Sequence, residues 1–165
     1  MPEPYLAYPF LENEEVLSDF VDRWTRGSLP KSSWTHGAHV GVAAYFAFDH
    51  PEVATFSLMK AGILHFNTCV GTPNTGDSGY HETLTRFWSA TISEFIRAGR
   101  FASRFEAVRE TVRRFGEERD RHKLFYSFDV VRDRRARQEW VEPDRKPFSG
   151  DLGSELLRVT RDTRV

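Results

Sequence analysis

The chain has 165 residues, of which 39% are hydrophobic and 28% are charged, and this is enough apolar material for the core of one domain. No apolar run approaches the length of about 18 residues that a membrane-spanning helix needs, and residues 1–10 lack the basic start and apolar block of a secretion signal. The single cysteine, Cys69, excludes an intramolecular disulfide and a cysteine-ligated zinc cluster. We therefore expect a cytoplasmic protein with no membrane partner.

The net charge of −1 conceals two unequal halves of the chain. Residues 1–82 carry ten acidic and four basic residues, whereas the remainder carries fourteen acidic and nineteen basic residues. A basic half is compatible with nucleic-acid binding, but the arginines here alternate with acidic residues, as in Glu117-Glu118-Arg119-Asp120-Arg121. Because such alternation is typical of a solvated helix face, we expect no nucleic-acid partner.

Apolar residues recur with the period of a helix along most of the chain. They predict five main helices, at residues 13–26, 33 or 35 to 49, 51–70, 80–98 and 102–115. Asn13 and Gly27 are the expected start and stop of the first helix. Pro51 fits the start of the third helix, where its missing N–H costs nothing. The second helix is apolar almost all round, so it should lie in the middle of the packing.

Beyond residue 120 the pattern is mixed. Residues 124–131 fit either a short helix or an extended segment, and residues 134–140 fit a short helix. The tail after Pro143 is irregular until a weak helical stretch at residues 153–160.

No repeat, linker or low-complexity tract divides the chain. The fold class that follows is an all-α, single-domain helical bundle of about five main helices. It spans residues 1–165, with a core at about 13–140 and an irregular C-terminal extension at 141–165.

Three histidines are predicted to face the interior of this bundle. His36 and His39 are three residues apart at the start of the second helix, so both imidazoles lie on one face. At about 100° per residue that face is otherwise apolar, with Val40, Ala43, Phe46 and Ala47. His81, in the first turn of the fourth helix, falls within the arc of Leu84, Trp88 and Ile92.

Imidazoles that converge from two neighbouring helices predict a metal site. Three neutral imidazoles fit a divalent transition metal and leave a fourth position for water or substrate. His36, His39 and His81 are therefore the predicted ligands, of zinc first, with iron, copper, nickel or manganese as alternatives. Glu82, at the edge of the same arc, is the predicted catalytic residue, as a general base towards bound water; a fourth ligand or an acceptor for an imidazole N–H are its other roles.

The leading hypothesis is thus a metal-binding α-helical protein, an enzyme on a small-molecule substrate, in which the ion acts as a Lewis acid or activates water. The alternative is a metal-free helical binding module, whose histidines and aromatic side chains line a pocket for an apolar or anionic small molecule. A third hypothesis is a homo-oligomer that uses the arginine-rich C-terminal half as its contact surface. Histidines that only satisfy backbone carbonyls would argue against the first hypothesis.

Residues 71–79 form the one long turn-rich loop in the body of the chain. The loop leads into the helix that carries His81, so it should lie over the mouth of the site. Asn74, Thr75 and Asp77 are candidate substrate contacts, although an ordinary turn with Ser78 as the N-cap is favoured.

The remaining candidate residues carry weaker signals. His65 borders the apolar arc of the third helix and is a further candidate ligand. His122 lies between Arg121 and Lys123 and is expected in solvent, and Cys69 is expected to be a small buried apolar side chain.

Three short stretches of the chain also form a recognisable set: Trp34-Thr35-His36-Gly37-Ala38-His39, Gly79-Tyr80-His81-Glu82-Thr83 and Trp140-Val141-Glu142-Pro143-Asp144. Together they resemble the signatures of a bacterial all-α family whose function is uncharacterised. The resemblance spans about residues 30–145 and implies that the three stretches belong to one fold, but it implies no activity. A looser analogy is with the DinB-like helical bundles, which present three inward histidines to a metal at a different spacing.

Overall fold

The computed structural model of the protein describes residues 7–147, and all regular secondary structure in that range is helical. The α-helices are α1 (Glu14–Arg26), α2 (His36–Asp49), α3 (Glu52–Cys69), α4 (Glu82–Ala98), α5 (Arg104–Phe115) and α6 (Arg134–Gln138). Short 3-10 turns occur at Pro9–Leu11, Lys31–Ser33 and Arg121–Leu124. The predicted all-α bundle is confirmed, while the weak helix predicted at residues 153–160 lies outside the described residues. None of the helices within 7–147 is long and apolar enough to cross a membrane.

Side-chain caps define where five of the six α-helices in residues 7–147 begin; α3 instead follows Pro51 and has no side-chain cap. Asn13 accepts a hydrogen bond from the Val16 N–H at 2.9 Å, and Gly27, with a φ of 73°, ends α1 as predicted. Thr35 caps α2 in the same way. The N-cap of α4 is His81 and not Ser78, so the helix begins at Glu82, later than the apolar pattern predicted.

Helix α2 lies at the centre of the bundle and packs against α3, α4 and α5. Its buried residues surround the helix axis and are all small or apolar: Gly37, Ala38, Val40, Gly41, Val42, Ala43, Ala44 and Ala47. At Gly41 an added Cβ would lie 2.8 Å from the ring of Phe10, so only glycine permits this approach. The central position follows from a helix that has no polar side to turn towards water.

The segment after α5 packs on the outer side of α4 and has its own apolar cluster. Phe87 of α4 is buried against Phe125, Tyr126, Val130 and Ala136. The 3-10 turn that begins at Arg121 is followed by irregular turns, so residues 124–131 form neither of the two predicted structures. The predicted short helix at 134–140 is present as α6, which ends at Gln138.

Candidate functional site

A cavity of about 720 Å³, which we call the histidine cavity, lies between α2, α4 and the segment that follows α5. It brings together the three histidines predicted to face inward, His36, His39 and His81, and adds His122. Its other lining side chains are the aromatic Trp34, Tyr80 and Trp88, a small apolar group that includes Val40, Met59, Ile63 and Leu84, and the charged Arg119, Asp120 and Arg137. Two of the three sequence stretches, around His36 and His81, thus line one cavity.

His36 is the first residue of α2, and its ring is fixed from two sides. Its Nε2 donates to the carbonyl oxygen of Phe115 at 3.1 Å, and its ring meets Trp88 edge-on at a centroid distance of 4.9 Å. Burial lowers the pKa of His36; the hydrogen bond to Phe115 opposes this effect, and the positive charge of Arg119 adds to it. The imidazole is therefore neutral at physiological pH, with Nδ1 as the unprotonated nitrogen.

His39 lies one turn further along α2. Its Nδ1 donates to the carbonyl oxygen of Thr35 at 2.8 Å, and its ring lies against Trp34 with a centroid distance of 3.8 Å. Burial is the main reason that the pKa of His39 falls to about 4, and the charge of Arg119 also lowers it. This imidazole is neutral too, and because its Nδ1 carries the proton, Nε2 holds the free lone pair.

His81 differs because both of its nitrogens have partners. Nδ1 accepts from the Leu84 N–H at 3.3 Å, and Nε2 donates to the carbonyl oxygen of Val130 at 2.8 Å. Only 8% of the residue is exposed, and burial lowers its pKa. His81 therefore starts α4 and holds the segment after α5 against it, in addition to lining the cavity.

His122 was expected in solvent, and this prediction is wrong: the residue is only 5% exposed and lines the cavity. The 3-10 turn at Arg121–Leu124 turns it inward, while Lys123 beside it remains in solvent. Its Nδ1 donates to the carbonyl oxygen of Arg119 at 3.2 Å, and burial lowers its pKa. A turn of four residues is too short to show an apolar periodicity, so the sequence does not indicate which of its side chains face the interior. The charged neighbours Arg121 and Lys123 therefore led to the wrong prediction.

No three histidine, cysteine or acidic side chains within residues 7–147 form a group that could hold a metal ion. A carbonyl bond on one imidazole nitrogen is nevertheless the arrangement that orients a metal-binding histidine, since it directs the other nitrogen's lone pair. His36 and His39 have this arrangement, whereas His81 would have to release the start of α4 or Val130. The predicted metal site stays a prediction.

Glu82 is 4% exposed and lies among three hydrogen-bond donors. One carboxylate oxygen accepts from Lys60 Nζ at 2.9 Å and from the Tyr80 hydroxyl at 2.6 Å, and the other accepts from Arg86 at 2.9 Å. Burial alone would raise the pKa of Glu82, but Tyr80, Lys60 and Arg86 together bring it below its usual value. A low pKa makes the carboxylate a weak base, and its contact with the cavity runs through Tyr80.

The loop at residues 71–79 is fixed by Asn74. Its side-chain oxygen accepts from Asn67 Nδ2 at 2.9 Å and from the Tyr80 N–H at 3.0 Å. Asp77 is paired with Arg134 on the surface, and Gly79 is the residue of the loop that reaches the cavity. Asn74 thus positions Tyr80, and the sequence pattern did not predict this role for Asn74.

Two further side chains at the end of α3 differ from expectation. Cys69 is exposed and not buried, and His65 beside it is also exposed, with its Nε2 3.5 Å from the Cys69 sulfur. Phe66 and Asn67 in the same turn are buried, so His65 and Cys69 lie on the solvent side of α3, where Gly27 approaches so closely that an added Cβ would clash with the Cys69 sulfur. His65 is not among the residues that line the histidine cavity.

A second cavity of about 530 Å³ lies at the opposite end of α4, between the end of α2 and Phe101. Its lining includes one histidine, His50, with Glu52 and Ser93. The larger cavity holds four histidines and most of the residues that the sequence singled out, so it is the stronger candidate site.

No known protein family, curated protein or solved structure matches the chain.

Proposed function

We propose that the protein binds a small organic molecule in the histidine cavity. The observation that carries this proposal is the composition of that one space: a 720 Å³ cavity with an apolar and aromatic wall and a few convergent polar groups. Ligand sites are typically of this size and composition, because the apolar wall supplies affinity and a small number of fixed polar groups supplies orientation.

The polar groups of the cavity are held in place before any ligand arrives. The backbone carbonyls of Phe115, Thr35 and Val130 fix the rings of His36, His39 and His81. A group that is already ordered loses little conformational entropy when it binds, and this favours specific recognition. A purely structural role would not require four imidazoles to line one cavity.

A fragment screen by saturation-transfer NMR tests the proposal, with a variant that narrows the entrance of the cavity. Val131 lines the cavity and is 38% exposed, so Val131→Trp should fold normally and weaken binding by about tenfold or more. Leu124→Trp is the matched control on the same segment, because Leu124 is 60% exposed and outside the cavity lining. A screen without binders, or binders that both variants retain equally, would contradict the proposal.

A second candidate function is the metal-dependent one, in which a divalent ion, zinc first, binds His36, His39 and His81. The specific observation in its favour is that carbonyls orient His36 and His39 and leave one unprotonated nitrogen on each. His81 would join them by exchanging one of its backbone bonds for the ion. Lys60, Tyr80 and Arg86 already engage Glu82, so its part in this candidate would be to hold the Tyr80 hydroxyl at the cavity wall, and the reaction would be metal-assisted.

Calorimetric titration with Zn²⁺ tests this second candidate. We expect one equivalent per chain, lost in the double variant His36→Gln/His39→Gln and retained in the control His50→Gln/His65→Gln, whose two histidines lie outside this cavity. Uptake below about a tenth of an equivalent, or equal loss in both double variants, would exclude the histidine-ligated ion.

A further inference from the structure

The charges around the histidine cavity are unbalanced. Arg119 and Arg137 line it, and within residues 7–147 neither guanidinium forms an ion pair with a carboxylate. Among residues 7–147, Asp120 is the only carboxylate in the lining, and it is paired with Lys123 at 3.0 Å. Glu82 lies behind Tyr80, where Lys60 and Arg86 more than neutralise it. The lining therefore carries a net positive charge, and the other acidic groups that act on its histidines, such as Glu117 on His36 and Asp133 on His81, lie outside it.

The two arginines are placed differently. Arg137 is committed to the backbone, with Nη1 donating to the carbonyl oxygen of Gly79 at 2.9 Å and Nη2 to that of Val131 at 3.1 Å. Arg119 is exposed at the rim, and no side-chain hydrogen bond of its guanidinium is found in the described part of the chain. Arg119 thus has N–H donors available for a ligand. Arg137 contributes a positive charge to the cavity, but its guanidinium is held in place by backbone carbonyls.

The charge of Arg119 acts on the interior of the cavity and not only on solvent. After burial, which is the larger cause, it is one of the groups that lower the pKa of both His36 and His39. His36 and His39 each bond a backbone carbonyl through one ring nitrogen, which leaves the other nitrogen for a polar but uncharged part of a ligand. An anion at the rim would offset the field of Arg119.

We infer that the ligand of this cavity is an organic monoanion, with a flat apolar body against Trp88 and Tyr80 and a carboxylate at Arg119. This inference rests on the proposed small-molecule function and specifies its ligand class. Guanidinium groups recognise carboxylates by paired, charge-assisted hydrogen bonds, and a partly enclosed site strengthens such bonds. Trp88 and Tyr80 provide the flat apolar surfaces, whereas the ring of Trp34 is already stacked on Trp24 and in contact with His39.

The test compares three probes of one shape by calorimetry at neutral pH and low ionic strength: trans-cinnamate, cinnamyl alcohol and cinnamylamine. Wild-type protein should bind the anion about tenfold more tightly than the alcohol, and the amine most weakly. Arg119→Gln should remove this preference, and Arg119→Lys should keep most of it. Arg23→Gln is the control, because within residues 7–147 Arg23 also forms no ion pair with a carboxylate, but it lies on α1, away from the cavity.

Each outcome decides a separate point. Equal affinity for the anion and the alcohol, or a preference for the amine, would overturn the anion inference and leave the small-molecule function intact. An anion preference that persists in Arg119→Gln would overturn the assignment of Arg119. Failure of all three probes, together with an empty fragment screen, would overturn the proposed function itself. Unchanged melting of Arg119→Gln excludes misfolding as the cause of any loss.

Discussion

The four cavity histidines are neutral because the fold removes their rings from water and supplies a backbone partner for one N–H of each. Burial lowers the pKa of His36, His39, His81 and His122 alike. Their carbonyl partners come from four different places in the chain: Phe115, Thr35, Val130 and Arg119. Each bond decides which nitrogen carries the proton, and so which nitrogen can accept from a ligand or bind an ion.

Neutral buried histidines make the folded state sensitive to acid. The unfolded chain takes up a proton at His39 near pH 6.5 and the folded chain only near pH 4, so stability falls as the pH drops through that window and levels off below it. At pH 5 this linkage costs up to about 2 kcal/mol, an upper limit because part of His39 remains exposed.

His39→Asn keeps a donor for the Thr35 carbonyl and removes the titration. We expect its free energy of unfolding to depend less on pH between 6.5 and 4 than that of the wild type, as measured by urea denaturation at several pH values. The difference between the two proteins at pH 8, where both side chains are neutral, gives the cost of the substitution alone. Parallel pH profiles would show that His39 is protonated equally in both states.

Glu82 is the buried counter-charge of Lys60 and Arg86, which are 43% and 15% exposed as side chains. Glu82→Gln keeps the shape but leaves both cations without a carboxylate, so we expect a loss of about 2 to 3 kcal/mol by chemical denaturation. Asp22→Asn breaks a comparable pair with Arg26 in which both side chains are about 60% exposed, and it should cost less than about 0.5 kcal/mol. Similar losses in the two variants would contradict this assignment.

Helix α4 is the element on which the site depends, because its first turn joins α3, the cavity and the C-terminal segment. Thr83, with no exposed surface, donates to the carbonyl oxygen of Glu139 at 2.8 Å and accepts from the Val141 N–H at 3.0 Å. These bonds place the stretch around Val141 against the stretch around His81. The sequence pattern predicts α4 and its apolar stripe. It does not predict the bond between Thr83 and Val141, because the two residues are 58 positions apart and no local pattern marks a threonine as a partner of a distant backbone group.

Thr83→Val should therefore destabilise the protein by about 2 kcal/mol, since it leaves two buried backbone groups without their partner. Thr111→Val is the matched control: Thr111 is equally buried, but its hydroxyl bonds only the Ala107 carbonyl of its own helix, which the helix ladder already engages. We expect the control to lose less than about half as much in thermal denaturation. Equal losses would show that the inter-segment bonds contribute little.

At the scale of the whole molecule, the part of the chain from residue 7 to residue 147 contains two apolar clusters, and the cavity lies where they meet. The larger cluster is built around α2, and the smaller one unites Phe87 with Phe125, Tyr126, Val130 and Ala136. Trp88 packs against both. The wall that carries His122 and Val131 is thus supported by the smaller cluster, separate from the core that carries His36 and His39.

Phe125→Ala removes the ring that meets Phe87 at a centroid distance of 5.2 Å. We expect a loss of about 3 kcal/mol, together with faster hydrogen exchange over residues 121–141 and weaker ligand binding, because this cluster supports one wall of the cavity. Phe10→Ala removes an equally buried ring, 6% exposed, from the larger cluster and should not accelerate exchange in that segment selectively. Uniform acceleration in both variants would contradict two separable clusters.

Local sequence patterns were sufficient to predict the all-α fold, the central position of α2 and the inward direction of His36, His39 and His81. Helical period, capping residues and glycine stops act over a few residues, so the chain carries them in plain sequence. The burial of His122, the engagement of Glu82 by Lys60 and Arg86, and the unpaired charge of Arg119 depend on contacts between residues distant in the chain. Such contacts exist only after packing brings the elements together, because the environment that sets the charge and the free lone pairs of a side chain is a property of its neighbours in space.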